Sequence, residues 1–273
     1  MQWQLMLQVL VSCVWLGHSE VVTSFASCSQ FFYQGTTPNN AINPNNPARI
    51  CQSYNNQHHF ATLYDRDARI PVYSAYIYKP GQSQKPQASL IEPQLIDSTY
   101  SVDMEKEKDF VAKHPKILED LKKSQAVFDD YKVLTGMTRG HLNPSGHHNT
   151  YGTKLPTFTL TNIVPQDAKF NNDAWKKYEV STMDKMAKNC KTTYVITGAV
   201  PRKTQSPKER VNIPSHIWSA ACCPAEKKAW GVVADNNSQS KVTVRTLEDV
   251  ENILTNLYGK GKVSLFHSDC PLK

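Results

Sequence analysis

An arginine and a histidine separated by one glycine lie near the middle of the chain, and a segment rich in asparagine and acidic residues follows them. They are Arg139 and His141 in TRGHLNP, then Asn171 and Glu179 in FNNDAWKKYE. A neutral imidazole suits a general base near neutral pH, and a planar guanidinium suits a phosphate group. Amide and carboxylate oxygens are ligands that Mg²⁺ accepts, usually together with several waters. The combination indicates metal-assisted hydrolysis of a phosphodiester bond.

A strand and a helix are the elements expected to position these residues. The sequence predicts a strand over residues 157–164, a loop position at Phe170, and a helix from Asn172 to about Lys188. The step from Asn171 to Glu179 corresponds to about two turns at roughly 3.6 residues per turn, so the two side chains are expected on one helix face. We interpret Trp175 in the same segment as a core residue.

The ordered set TRGHLNP, TNIVPQ and FNNDAWKKYE resembles the DNA/RNA non-specific endonuclease family, whose active site is a ββα-metal motif. Further similar segments lie between about Pro71 and Phe266: QAVFDDYKVLTGM, TTYVITGAV, VNIPSHIW and KKAWGVVADN. The resemblance implies an α+β fold with a central, twisted, mainly antiparallel sheet flanked by helices. It also implies cleavage of DNA and RNA alike, leaving 5′-phosphate and 3′-hydroxyl ends.

The family's functional residues match five positions of this chain. By this resemblance His141 is the general base, Arg139 stabilises the transition state, and Asn162 lines the site. Asn171 is the sole direct protein ligand of Mg²⁺, for which Mn²⁺ is a substitute, and Glu179 holds a water of the metal ion. The chain is therefore expected to be a metal-dependent endonuclease that contacts DNA and RNA through the phosphate backbone.

One position departs from the family pattern. The family motif reads Asp-Arg-Gly-His, whereas Thr138 precedes Arg139 here. The missing carboxylate is neither base nor metal ligand, so its loss bears on efficiency more than on the chemistry. Two alternatives stay open: a catalytically impaired nucleic-acid-binding protein that keeps the fold, and a disulfide-stapled extracellular interaction module.

Charge and the first residues of the chain bear on partners and on location. The 31 Lys and Arg residues outweigh 24 Asp and Glu residues, giving a formal net charge of +7, which fits a polyanionic partner. Residues 1–19 contain the apolar run LMLQVLVSCVWLG, interpreted as a secretory signal peptide cleaved near Ser19. No later stretch has the length and apolarity of a membrane span. The expected location is extracellular.

Six cysteines remain once Cys13 is removed with the signal peptide. An even count in a secretory context favours disulfides, and Cys28 with Cys51 is the local expectation. Adjacent Cys222 and Cys223 must then pair with different partners. Zinc is the alternative, but the chain has no C-x-x-C pair. The six are Cys28, Cys51, Cys190, Cys222, Cys223 and Cys270.

The chain is expected to form one catalytic domain preceded by a loop-rich segment. Residues 20–70 are predicted to pack on the domain, and residues 71–273 to form the endonuclease domain. The Pro- and Asn-rich residues 29–57 indicate an irregular surface loop. A β-hairpin that turns at DRDAR is predicted for the next segment, HHFATLYDRDARIPVYSAYIYKP. A central strand is predicted for TTYVITGAV, and two further strands are predicted for VNIPSHIWSAACC and AWGVVADN. The segment TLEDVENILTNLYG predicts a terminal helix that is capped by Thr and ends at Gly259.

Overall fold

A computed structural model describes residues 20–204 and 209–272. The expected signal peptide and Cys13 lie outside the described residues. Seven strands form one sheet in the order β1-β2-β3-β4-β9-β10-β11, with antiparallel neighbours throughout. Two-stranded pairs β5-β6 and β7-β8 lie outside it. The strands are β1 (Val21–Val22), β2 (Pro47–Tyr54), β3 (Gln57–Asp65), β4 (Ile70–Ile77), β5 (Leu90–Ile91), β6 (Glu105–Lys106), β7 (Met137–His141), β8 (Ile163–Asp167), β9 (Tyr194–Val200), β10 (His216–Cys223) and β11 (Lys228–Asp235).

Helices cover both faces of this sheet, which confirms the predicted α+β class. They are α1 (Glu107–Lys113), α2 (Leu118–Ser124), α3 (Phe128–Lys132), α4 (Tyr151–Lys154), α5 and α6 (Leu247–Tyr258). Helix α5 is built of four successive segments: Ala168–Phe170, the π-helical Asn171–Trp175 and Tyr178–Thr182, and Met183–Ala187. The 3₁₀ turns are Phe25–Phe31, Tyr33–Gly35, Asn40–Ile42, Pro93–Leu95, Ser145–His147, Leu155–Phe158, Leu160–Asn162 and Pro224–Glu226.

The sheet separates two hydrophobic cores. Along β10, Ile217 and Ala221 belong to the core that also holds residues of α5, β8 and α1, whereas Trp218 and Ala220 belong to the core beneath α6 and the N-terminal turns. This division follows from the alternation of side chains along a strand. All catalytic candidates lie on elements packed against the first core, which we call the site face. The other is the back face.

Three disulfides fasten elements onto these faces. Cys28 is bonded to Cys51, Cys190 to Cys223, and Cys222 to Cys270. Neighbours on β10 point to opposite faces, so one disulfide ties down the segment after α5 on the site face and the other ties the chain end to the back face. The predicted 28–51 pair and the separate partners of Cys222 and Cys223 are confirmed.

Most strand and helix predictions agree with the structure. The hairpin β3-β4, central β9, the pair β10-β11 and the Thr-capped α6 are confirmed, with Thr246 Oγ1 accepting from the Asp249 N–H at 3.1 Å. The interpretation of residues 29–57 as loop is wrong for β2, which pairs with β3 along its whole length. Strands on both sides of the expected boundary at residue 70 lie in this one sheet.

Two predictions beside the site are wrong. Residues 157–158 and 160–162 lie in 3₁₀ turns, and Thr159 forms an isolated bridge to Leu90, rather than a continuous strand. Thr157 Oγ1 donates to the Lys154 carbonyl at 2.7 Å and Thr159 Oγ1 donates to Glu92 at 2.6 Å. Such side-chain bonds compete with a strand ladder. Phe170 lies inside α5, which begins at Ala168. No helix in the described part of the chain has the length and apolar character that a bilayer crossing requires.

Removing the disulfide that fastens the end of α5 is expected to lower the free energy of unfolding. The Cys190→Ala/Cys223→Ala variant opens a loop of sequence separation 33, for which the chain-entropy model gives a loss of about 4 kcal/mol. Urea unfolding of oxidised protein measures it. An unchanged urea midpoint would contradict the structural role of this disulfide.

Candidate active site

The β7-β8 pair presents Arg139 and His141 on one side. Arg139 lies opposite Pro165 and His141 opposite Ile163, and side chains two residues apart on a strand share a face. Gly140 faces the other way, where a Cβ atom would lie 2.8 Å from the Cβ of buried Gln166. A glycine between the arginine and the histidine is therefore required by packing.

The ring of His141 is held with one nitrogen unoccupied. It meets Phe158 at 4.8 Å between centroids and 76° between planes. Its Nε2 is buried and has no hydrogen-bond partner among the described residues. Burial lowers the pKa of His141 to about 3, and the charges of Lys85 and Arg139 act in the same direction. A hydrogen bond to the Arg139 backbone opposes this shift. Since Nε2 is unpartnered, that bond uses Nδ1. The imidazole is neutral, with the lone pair on Nε2.

Arg139 is exposed but immobilised. Its guanidinium lies 4.6 Å from the centroid of the Phe128 ring, and one terminal nitrogen donates to Ser89 Oγ at 3.2 Å. A guanidinium has five N–H donors, so this contact orients the group while leaving donors for a phosphate. The cation–π contact fixes the direction in which those donors point.

Helix α5 places Asn171 and Glu179 on the same cavity wall. The helix is capped by Asp167, whose carboxylate accepts from the Phe170 N–H at 2.9 Å. Both Asn171 and Glu179 lie in π-helical segments. A π-turn takes up more residues than an α-turn, so a step of eight residues comes close to two full turns. The expectation that the two residues share a helix face agrees with the cavity that both line.

Glu179 is partly buried, among groups that fix it. Trp175 Nε1 donates to Glu179 Oε1 at 2.9 Å, and His147 Nε2 donates to the Glu179 carbonyl at 2.8 Å. Burial raises the pKa of Glu179 to about 8, opposed by the Trp175 bond and the charges of Lys85 and Lys176. At neutral pH this carboxyl is protonated unless a further cation approaches it. Trp175 is fully buried, which confirms its interpretation as a core residue.

Two cavities meet at the catalytic candidates. The helix cavity, of about 770 Å³, is lined by Asn171 and Glu179 among others, and the lysine cavity, of about 860 Å³, by Lys106 and Lys108 among others. Four residues line both: Lys85, Thr138, Arg139 and His141. A polymer that binds across His141 would therefore occupy both cavities. Thr138 borders both, at the position where the family motif has a carboxylate.

Sequence reasoning missed Lys85, whose charge acts on both His141 and Glu179. It lies in the irregular loop between β4 and β5. Lys154, although buried, donates from its ammonium to the carbonyls of Gly81 and Ser83 at 3.0 Å each, which holds this loop against α4. The sequence carries no motif at Lys85, because the contact depends on tertiary packing.

Asn162 lines neither cavity, and the structure places it beneath the site rather than at its surface. The residue is fully buried, and its amide binds the backbone of Asn143 at both N–H and carbonyl, at 2.9 and 3.0 Å. It also contacts Ser74 and Thr157. Its hydrogen bonds make it a positioning residue for the loop after β7.

His147 and His148 are structural. His147 lies between the Tyr76 hydroxyl at 3.0 Å and the Glu179 carbonyl, and burial lowers its pKa to about 4. His148 Nε2 bonds Asn143 Oδ1 at 2.7 Å, and burial lowers its pKa to about 3. Both rings are neutral; His147 is bonded at both nitrogens and His148 lines neither cavity, so neither is placed as a second base. The loop 144–147 lines the helix cavity.

The donor set fits a hydrated hard cation. Among residues 20–204 and 209–272, no group of three or more His, Cys, Asp or Glu side chains is placed to hold a metal ion. A site built on one amide oxygen and waters does not need such a group. Asn171 has no side-chain hydrogen bond to a described residue, and the protonated Glu179 would ionise beside a cation. The residues present therefore suit a hydrated divalent cation, which Asn171 would hold directly and Glu179 through water.

Comparison with known proteins agrees with this geometry. The model of the family "DNA/RNA non-specific endonuclease" matches residues 37–259. Endonuclease domain-containing 1 protein of Mus musculus is 32% identical over 253 residues, covering 90% of this chain and 48% of the mouse protein. The Homo sapiens protein is 30% identical over 242 residues, covering 86% of this chain and 47% of the human protein. The chain thus spans about half the length of these relatives.

More distant similarity extends the pattern. Mitochondrial nuclease EXOG of Xenopus laevis is 32% identical over 107 residues, 34% of this chain and 29% of that protein. A crystal structure of the EndoG/EndoGI complex matches with a TM-score of 0.51 at 19% identity, covering 81% of this chain and 86% of that one, which shows the shared fold. With the family model matching most of its length, the chain belongs to the DNA/RNA non-specific endonuclease family.

Proposed function

We propose that this protein is a secreted, Mg²⁺-dependent endonuclease that hydrolyses phosphodiester bonds of DNA and RNA. The observation that carries the proposal is that neutral His141, whose Nε2 has no hydrogen-bond partner among the described residues, lines two cavities together with Arg139, and that Asn171 and Glu179 line one of the two. A general base needs a lone pair at working pH and a place for its water. The neutral ring of His141 supplies the lone pair, and the ring borders cavities in which a water can lie.

The side chains divide the work by their chemistry. His141 Nε2 takes a proton from the attacking water, and Nδ1 stays bonded to the Arg139 backbone. Arg139, braced on Phe128, donates to the phosphoryl oxygens as negative charge develops. Mg²⁺, when bound at Asn171 and Glu179, supplies charge neutralisation at the phosphate and the leaving oxygen. Lys85 adds a positive charge between base and helix.

Substrate and location rest on broader arguments. Contacts to phosphate carry no base or sugar information, so cleavage of both DNA and RNA follows from a site made of cations and an amide. The net charge of +7 favours such polyanions. Three disulfides fit an oxidising compartment and hence secretion. The family name and the nuclease relatives support the reaction class.

Thr138 favours a second candidate, a nucleic-acid-binding protein with impaired cleavage. This residue borders both cavities where the family motif places an aspartate. If this candidate holds, the wild-type protein binds nucleic acid without cutting it, and Thr138→Asp restores cleavage. If the proposed function holds, the wild-type protein nicks plasmid unaided.

Replacing His141 with Ala is expected to remove about 10²–10⁴-fold of the turnover, the usual contribution of a general base. Nicking of supercoiled plasmid by the oxidised protein, with Mg²⁺ and with EDTA, measures it. His267→Ala is the matched control, since this histidine packs on Tyr33 at the back face. Equal loss in both variants, or cleavage that persists in His141→Ala, would refute the assignment.

Mg²⁺ is expected to raise the melting temperature more at about pH 9 than at about pH 6. The folded pKa of Glu179 is raised to about 8. Its contribution to metal-free stability is therefore fully present below the ordinary carboxyl pKa and is lost as the pH rises from there to about 8, while a bound cation favours the ionised form. Differential scanning fluorimetry measures the shift.

Three variants complete this experiment. Asn171→Ala should abolish the Mg²⁺ shift, and Glu179→Gln should remove its pH dependence. Asn256→Ala, on an exposed position of α6, should leave both unchanged. A Mg²⁺ shift that survives in Asn171→Ala would contradict the assignment of Asn171 as direct ligand.

A further inference from the structure

Most of the lysine cavity is not used by the chemistry proposed above. Beyond Arg139 and His141, its lining combines apolar surface with lysines and continues away from Asn171 and Glu179. Its volume, about 860 Å³, lies in the range of small-molecule binding sites. A groove that only tracked phosphates would need neither this depth nor an aromatic wall.

One aromatic ring in the cavity is available to a ligand. Phe128 is engaged by the guanidinium of Arg139 at 4.6 Å and by the ammonium of Lys132 at 4.7 Å. Phe158 touches His141 edge to face, is only partly buried, and lines the cavity. Aromatic faces of this kind stack nucleobases without regard to sequence. Phe158 lies immediately beside the catalytic histidine.

The lysines at the other side of the cavity are uncompensated. Lys106 and Lys108 are exposed and form no ion pair with a described residue, whereas nearby Lys113 is bound to Glu105 at 2.7 Å. Glu107, between them, also lines the cavity, but its carboxylate is engaged and accepts from the Phe128 N–H at 2.9 Å. Two unpaired ammonium groups on one rim attract phosphates.

We propose that the lysine cavity binds the nucleoside adjoining the scissile phosphodiester on one unpaired strand, with its base against Phe158 and the next phosphates on Lys106 and Lys108. The inference rests on the proposed function, since it takes His141 to mark the scissile phosphate. A base whose face lies against Phe158 is out of the duplex stack, and an unpaired strand supplies such a base without the cost of unpairing. The protein therefore binds single strands more tightly than duplexes.

The first test uses the native protein and a substrate that lacks one base. An end-labelled single-stranded DNA carrying one abasic residue is partly digested with Mg²⁺, so that each band reports one bond. Loss of base stacking on an aromatic ring, about 1–3 kcal/mol, corresponds to roughly 5- to 150-fold. Cleavage at the bond on one side of the abasic residue should fall by at least about fivefold relative to other bonds. Equal cleavage on both sides would overturn the proposal.

The second test measures binding without cleavage. Fluorescence anisotropy in EDTA follows a labelled single-stranded oligonucleotide at several salt concentrations. Each lost phosphate contact lowers the slope of log K against log salt by about 0.7 on single strands, so Lys106→Gln/Lys108→Gln should lower it by about 1.4. Wild-type protein should bind the single strand more tightly than the matching duplex.

Lys260→Gln/Lys262→Gln is the matched control, with the same charge change and spacing at two exposed lysines after α6 on the back face. An unchanged slope in the Lys106/Lys108 variant, or an equal drop in the control, would overturn the proposal. Because binding is measured without metal, a protein that binds as expected but never cleaves refutes the proposed function alone.

Discussion

The side-chain amide of Asn162 joins the catalytic hairpin to the sheet. Its Oδ1 accepts from Ser74 Oγ on β4 at 2.8 Å and from the Asn143 N–H at 2.9 Å, while its Nδ2 donates to the carbonyls of Asn143 and Thr157 at 3.0 and 2.8 Å. A fully buried amide must satisfy its donors and acceptors, because each unpaired group costs about 1–3 kcal/mol. Asn162 thus links the loop after His141 to the sheet, alongside the bonds from Tyr76 to His147 and from Gln52 to Thr161.

Burial then sets the charge state of the site. It lowers the pKa of His141 to about 3 and raises that of Glu179 to about 8, so both are neutral at neutral pH, and the charges of Lys85, Arg139 and Lys176 act on them. The cavities are therefore positive before anything binds, which suits a polyanion. A divalent cation enters against this field only by ionising Glu179, so metal binding and substrate phosphate are expected to support each other.

The sequence predicted those parts of the fold in which local pattern and tertiary role agree. Strand β9, pairs β3-β4 and β10-β11, and capped helix α6 have clear periodicity or capping residues, and each was placed correctly. The β2 strand was missed because Asn- and Pro-rich residues before it suggested loop throughout. Residues 157–162 were misread because their threonines bond Glu92 and the Lys154 carbonyl rather than a neighbouring strand. Lys85 had no sequence signal, since Lys154 places it only in the folded chain.

The two faces of the sheet explain why the site cannot be separated from the N-terminal segment. Strand β4, which carries Ser74, is flanked by β9 on one side and by β3 on the other. Without β1 to β3, the β4 edge would expose unpaired backbone groups, the usual route to edge-to-edge association. Cys51 on β2 is bonded to Cys28 in the turns that cover the back face, so the same segment closes the second core. The hairpin that carries Arg139 and His141 therefore rests on a sheet whose other half comes from the residues before position 70.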